Sequence, residues 1–151
     1  MDFKIKTANA NSRDIISLSD ELHKELEGFY GQGVIESFKE ENDEMLIFYI
    51  VYDDRGTAAA CGALKHFDET TAEIKRMYVK PKYRRRGISK KILLKLEQHA
   101  RELQYQRLIL ETGLKQPEAI SLYEKFEYKP LDCYGRHAND PDSRCFEKMI
   151  K

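Results

Sequence analysis

No stretch of this chain is apolar for long enough to cross a bilayer: the longest run, Met45–Tyr52, falls far short of the roughly 20 residues a spanning helix needs. The chain also lacks the basic stretch followed by an apolar core that marks a secretory leader, because its first residues, MDFKIKTANANSRD, alternate in polarity and carry acidic groups. These absences predict no membrane partner and a cytoplasmic location. Cysteine is scarce. Cys61, Cys133 and Cys145 cannot all pair with one another, and their wide spacing offers neither a disulfide framework nor a tetrahedral zinc signature, so reduced thiols and no metal are expected. Cys133, His137 and Cys145 have the side chains for three metal ligands, but no Cys-x-x-Cys element accompanies them. No internal repeat, low-complexity tract or Pro/Ser-rich linker is present, and the four prolines are scattered, so the 151 residues are expected to form one domain, residues 1–151. A hydrophobic content of 41% is too high for intrinsic disorder.

An excess of charge is missing as well, with 26 basic and 26 acidic side chains, but their layout is uneven. Residues 1–73 carry 16 acidic and 7 basic groups, a balance of −9; residues 74–110 carry 2 and 12, or +10; residues 111–151 carry 8 and 7, or −1. A basic block bordered by acidic ones points to one anionic ligand and away from a nucleic-acid partner, which would favour an overall basic balance.

Periodicity places the elements. Phe3-Lys4-Ile5-Lys6 alternates like a short strand, and Ser12 is a candidate N-cap for a helix carrying Ile15, Leu18, Leu22 and Leu26 on one face, broken by Gly28, Gly31 and Gly33. A second short helix is expected over 34–41, a strand over 45–52, a turn at Asp53-Asp54-Arg55-Gly56 and a returning strand over 57–67. Residues 71–79 form the next strand, ended by Lys80-Pro81. Ile88, Ile92, Leu93, Leu96, Ala100 and Leu103 trace one face of a long helix, followed by a strand over 107–112 and a helix from Pro117 through Phe126. Two strands, around 128–133 and 144–150, close the chain, for an order β-α-α-β-β-β-α-β-α-β-β.

The basic block peaks where a strand turns into a helix. Such a turn leaves the first N–H groups of the helix unpaired, a concave donor site suited to phosphate oxygens. Gly87 permits a positive φ or close backbone approach, Ser89 is small and adds a hydroxyl, and Arg84, Arg85 and Arg86 add charge that does not titrate away. The same residues would also make an ordinary solvated basic turn.

Over residues 71–130 the chain resembles the acetyl-CoA-binding core of the GCN5-related N-acetyltransferase (GNAT) superfamily. The resemblance rests on the strand ending Met77-Tyr78-Val79, the turn Arg84-x-x-Gly87-x-Ser89, the long helix, the strand over 108–112, and the segment Ala119-Ile120-Ser121-Leu122-Tyr123-Glu124-Lys125-Phe126-Glu127-Tyr128. It implies an α+β (mixed α/β) fold, with a mostly antiparallel central sheet of about seven strands flanked by helices. The sequence departs from the family pattern at Ser89, where Gly or Ala is usual, and at Gln104 and Glu127, where Gly is common; strained or altered turns are expected there.

The resemblance further implies that acetyl-CoA lies between the strand ending at Val79 and the strand over 108–112. Backbone groups near Met77, Tyr78 and Val79 would pair with the pantetheine arm, the N–H groups of 85–89, Ile88 among them, would hold the pyrophosphate, and Arg84, Gln116 and Tyr123 would complete the cofactor contacts. Acetyl transfer to an amine needs a neutral nucleophile, a polarised thioester carbonyl and a proton for the departing thiolate. Tyr123 is the candidate acid, a backbone N–H around Val79 the candidate oxyanion donor, and Glu73 or Glu111 the candidate base. His66 and His137 are further candidates for proton transfer, but a lone histidine in a strand or loop is more often structural. The acidic cluster Glu36, Glu40, Glu41, Asp43 and Glu44 would favour a cationic acceptor, and residues 134–142 form a long hairpin loop expected to border the acceptor cleft. The function implied is acetyl-CoA-dependent N-acetyl transfer to a primary amine of a small molecule or peptide by direct attack in a ternary complex, in a protein that a homodimer would also suit. A non-catalytic acyl-CoA-binding module would use the same cleft, and a nucleic-acid-binding domain would use Arg84–Arg86 with Lys90–Lys95 and bind with strong salt dependence.

Overall fold

The computed structural model describes residues 2–31 and 41–150. One seven-stranded sheet contains β1 (Lys4–Ala8), β2 (Met45–Tyr52), β3 (Ala58–His66), β4 (Thr71–Val79), β5 (Arg107–Gly113), β6 (Lys129–Leu131) and β7 (Ser143–Met149), in the spatial order β1-β2-β3-β4-β5-β7-β6. All neighbouring pairs are antiparallel except β4 and β5, which run parallel. A parallel pair needs a crossover, and α2 (Ile88–Glu102) supplies it. The other helices are α1 (Arg13–Tyr30) and α3 (Pro117–Lys125). This is the expected mixed, mostly antiparallel architecture.

Helices cover both faces of the sheet centre. On one side Ile15, Leu18 and Leu22 of α1 pack on Phe48, Ile50, Cys61 and Ala63; on the other Ile92, Leu93 and Leu96 of α2 pack on Val51, Ala60, Leu64 and Ile74. β3 runs between them, so all seven residues from Ala58 to Leu64 are buried. Their small side chains, five of them Ala or Gly, let both helices approach.

Local signals located most ends. Ser12 caps α1, its Oγ accepting from the Ile15 N–H at 3.4 Å. The expected break at Gly28 does not occur: α1 runs through it to Tyr30 and ends at Gly31, φ 95°, since one helical glycine costs only about 1 kcal/mol. The short helix expected over 34–41 lies outside the described residues, apart from its last position. Among the described residues, no helix is long and apolar enough to cross a membrane.

The thiols depart from expectation. Cys133 and Cys145 form a disulfide, leaving Cys61 as a buried free cysteine. The β6–β7 pairing sets Leu131 opposite Cys145, which brings Cys133, two residues further on, within a Cα–Cα distance of 5.2 Å. A separation of 12 residues conveys nothing of this before the hairpin is formed.

Candidate active site

β4 and β5 pair only along their first halves. Their register runs from Thr71↔Arg107 to Ile74↔Leu110 and stops, although β4 continues to Val79 and β5 to Gly113. A bulge on the opposite edge of β4 accounts for the parting. Between the pairs Ala63↔Lys75 and Cys61↔Tyr78, Arg76 and Met77 face the single residue Gly62, and Arg76 takes φ 60°. A bulge bends its strand and increases its twist, so residues 75–79 diverge from β5. Arg76 is held in this uncommon conformation by its side chain: Nε donates to Asn42 Oδ1 at 2.9 Å and the guanidinium pairs with Glu41, with the residue only 6% exposed.

Beyond Val79 the chain makes a 3-10 turn at Pro81–Tyr83 and enters α2 through Gly87. Arg85 (φ 67°) and Gly87 (φ 74°) are both left-handed, and among the described residues no side chain caps the first turn of α2, an arrangement in which its N–H groups could serve as a concave donor site. The three arginines are not equivalent. Arg84 turns inward, its Nε donating to the Val79 carbonyl at 2.8 Å and its guanidinium pairing with Glu25, so it ties the turn to β4 and α1. Arg85 is exposed and lines a cavity, whereas Arg86 is not among the described residues lining it. Ile88 is buried in the core, so it can offer only its backbone, and Ser89 is half-buried at the cavity wall.

This first cavity, about 720 Å³, runs from the α2 turn past Met77, Tyr78 and Val79 to α3. Among the described residues, Arg84, Arg85, Lys90, Lys115 and Lys125 line it against Glu25 and Glu118, a wall whose charge suits a polyphosphate. A second cavity, about 540 Å³, lies on the far side of the parted strands. Its charge is different: Glu73, Glu111, Asp140 and Asp142 stand with Lys75, Arg76 and Arg136. Met77, Gln116, Ala119 and Tyr123 line both cavities and so mark where they meet.

Tyr123, on α3, is 4% exposed, with its ring against Tyr128 (5.7 Å between centroids, edge-on) and Phe146 (6.3 Å). Burial, then the charge of Glu111, pushes the phenol pKa well above its ordinary value, so the hydroxyl stays protonated at neutral pH. Gln116 precedes α3, and its Oε1 accepts from the Gly113 N–H at 3.1 Å, joining the end of β5 to the helix.

Both candidate bases line the second cavity. Glu73, 7% exposed, accepts from the Tyr134 hydroxyl at 2.9 Å. Glu111 accepts from Ser143 Oγ at 2.9 Å and lies 3.7 Å from His137 Nδ1. Thus His137 sits beside a candidate base, in the loop expected to border the cleft. His66 lines neither cavity and bonds Tyr105 Oη at 2.6 Å at the C-terminal end of β3. Within the acidic cluster, Glu41 is paired with cations of the chain itself: burial would raise its carboxyl, but the Arg76 hydrogen bond with Lys75 and Lys65 outweighs this and holds it far below the usual carboxylate range. Glu36 and Glu40 lie outside the described residues. Cys133 and Cys145 cannot ligate a metal with His137 because their sulfurs are bonded to each other. Sequence reading missed Phe29, Lys115, Tyr30 and Ser143, which reach the cavities from distant elements and carry no motif.

Among the described residues, the two left-handed non-glycine positions outside the site are positions where the chain departs from the family pattern. Gln104 (φ 69°) and Glu127 (φ 71°) keep the backbone that glycine usually provides, and each carries a side chain in it.

Comparison with known proteins gives the same grouping. The acetyltransferase (GNAT) family model matches residues 14–128. An IAA acetyltransferase from Azospirillum brasilense is 35% identical over 105 residues, covering 69% of each chain. The uncharacterized N-acetyltransferase YsnE of Bacillus subtilis is 36% identical over 94 residues, 61% of this chain and 62% of that one. Among crystal structures, a protein from Klebsiella pneumoniae described as an acyl-CoA N-acyltransferase superposes with a TM-score of 0.83 at 26% identity, over 99% of this chain and 98% of that one. The PaiA N-acetyltransferase of Thermoplasma acidophilum, solved in complex with coenzyme A, shares the fold with a TM-score of 0.77 at 23% identity and 99% coverage of both chains. With the parted β4–β5 pair, the uncapped basic turn and a family match over most of its length, the chain belongs to the GNAT family of acetyltransferases.

Proposed function

We propose that the protein moves an acetyl group from acetyl-CoA to a primary amine of a small molecule or peptide, by direct attack in a ternary complex formed within a single domain. The observation that carries this reading is the meeting of two cavities of different charge at Tyr123. The basic cavity suits the phosphates and pantetheine of acetyl-CoA: N–H groups of residues 85–89 would receive the pyrophosphate, and the free edge of residues 75–79 would pair with the arm's amides. The bound cosubstrate supplies an activated acyl group and a thiolate leaving group.

The remaining work falls to this chain's side chains. The second cavity would receive the amine acceptor, and there Glu73 or Glu111, both lining it, takes a proton from the incoming ammonium, directly or through water. Tyr123, kept protonated by its burial, donates to the sulfur as it departs. Met77 and Ala119 are apolar at the junction, which keeps competing water from the acyl group.

Turnover of acetyl-CoA to free CoA over a panel of polyamines, amino acids, aminoglycosides and peptides tests this reading, alongside Tyr123→Phe. Tight acetyl-CoA binding with no turnover on any amine would replace it with a non-catalytic acyl-CoA-binding module.

A further inference from the structure

The two candidate bases share one support. Glu73 lies on β4 and Glu111 on β5, yet each accepts a hydroxyl from the same loop: Tyr134 reaches Glu73 at 2.9 Å, and Ser143 reaches Glu111 at 2.9 Å. Tyr134 is next to Cys133, and Ser143 is two residues before Cys145, so the disulfide closes the loop immediately outside its two donors. Inside it, Arg136, His137, Asp140 and Asp142 line the acceptor cavity. The first cavity has no lining residue beyond Phe126 among the described residues.

We infer that the Cys133–Cys145 disulfide is a redox-sensitive positioning device for the acceptor half of the site, holding the loop that aims Glu73 and Glu111 while leaving the acetyl-CoA half untouched. The inference rests on the acceptor role proposed for the second cavity. Without the bridge, the base of the loop is held by the three β6–β7 register pairs and by the pairing of β7 with β5, and its long closure must be ordered by polar contacts and by the ring contact of Tyr134 with Phe67. Reduction is ordinary thiol exchange. A thiolate of a dithiol reductant attacks the sulfur of Cys133, which is half-buried where Cys145 is 3% exposed; the S–S bond breaks and Cys145 leaves as a thiolate that takes a proton. The reductant's second thiol then closes its own disulfide and releases Cys133, so two electrons pass from dithiol to protein. Cys61 stands apart from this exchange: it is buried, donates to the Arg76 carbonyl, and burial pushes its thiol up to about 12.

The test compares air-oxidised protein, protein treated with dithiothreitol, and Cys133→Ser. Thiol labelling with mass analysis should find one free thiol in the oxidised form and three after reduction. Hydrogen exchange should rise on reduction within residues 134–144, while the acetyl-CoA Kd from calorimetry stays the same. For spermidine, lysine and a lysine-containing tripeptide, kcat/KM should fall roughly 3- to 10-fold for each amine that is turned over, the loss expected for one weakened hydrogen bond. Reoxidation should restore it, and Cys133→Ser should match the reduced form and ignore dithiothreitol. Three free thiols in the oxidised protein, equal exchange of residues 134–144 in the two states, or an acetyl-CoA Kd that moves as much as the acceptor kinetics would each overturn the inference. If no amine is turned over by any form, the proposed reaction fails, and labelling with hydrogen exchange still decides whether the bridge orders the loop.

Discussion

Gly62 of β3 lies directly against Met77 of β4. A Cβ placed on Gly62 would stand 2.7 Å from Met77 Sδ and 2.5 Å from Ile92 Cγ2, so the bulge that parts β4 from β5 and the packing of α2 both depend on a missing side chain. Gly62→Ala is expected to destabilise the fold by ~1–3 kcal/mol through overpacking, and to weaken acetyl-CoA binding because Met77 must shift. Thermal unfolding and calorimetric titration with acetyl-CoA measure the two effects; a variant as stable and as tight-binding as the parent would contradict this account of the bulge.

Tyr123→Phe removes one hydroxyl and leaves the ring that packs on Tyr128 and Phe146. If Tyr123 donates the proton to the leaving thiolate, kcat drops roughly 10²-fold or more while acetyl-CoA affinity and melting temperature change little. Equal losses in kcat and in acetyl-CoA binding would mean that the residue only shapes the cavity.

Glu73→Gln and Glu111→Gln separate the candidate bases. Both substitutions keep the size of the side chain and an acceptor for Tyr134 or Ser143. The true base, once neutralised, is expected to cost roughly 10²-fold in kcat/KM and to remove the acid limb of the pH–rate profile; the other should leave that limb in place. Steady-state kinetics across pH distinguishes them, and an intact acid limb in both variants would assign the base elsewhere.

Glu41 joins Arg76, Lys75 and Lys65 beneath the bulge. Its carboxyl is held far below the ordinary range, so the stability it contributes is present above the ordinary glutamate pKa of about 4.3 and is lost as pH falls toward the depressed folded value. Glu41→Gln should therefore lower stability by ~1–2 kcal/mol at about pH 7, and the gap from the parent should close under strongly acidic conditions. Urea unfolding at several pH values reads the gap; a gap that stays constant would remove the ionic explanation.

Glu127 holds a left-handed φ of 71° where α3 gives way to β6. Glu127→Gly relieves the Cβ contact at a position the chain must already occupy, for an expected gain of ~0.5–1 kcal/mol. Thermal denaturation is the check, and a loss of stability would show that the side chain contributes more than its conformation costs.

The local rules of the chain were legible in advance. Apolar steps of three and four residues marked α1 and α2, Ser12 announced the start of α1, and the arginine-rich turn before Ile88 marked where β4 passes into α2, because these signals depend on near neighbours in sequence. Gln104 and Glu127 were flagged as residues standing where glycine is usual, and both indeed lie in left-handed turns. The same local reading overvalued Gly28, through which α1 continues, and it did not show that Arg84 turns back to the carbonyl of Val79.

By itself, then, the sequence determined the order of elements, the place of the basic turn and the residue types able to move protons. The tertiary structure alone decided where β4 leaves β5, that Glu41 is committed to Arg76, that Cys133 meets Cys145, and that Tyr134 reaches Glu73 from 61 residues away. The physical reason is range. Helix and turn preferences act over a few residues, whereas the bulge, the ion pairs and the disulfide exist only after the sheet has brought distant strands into register.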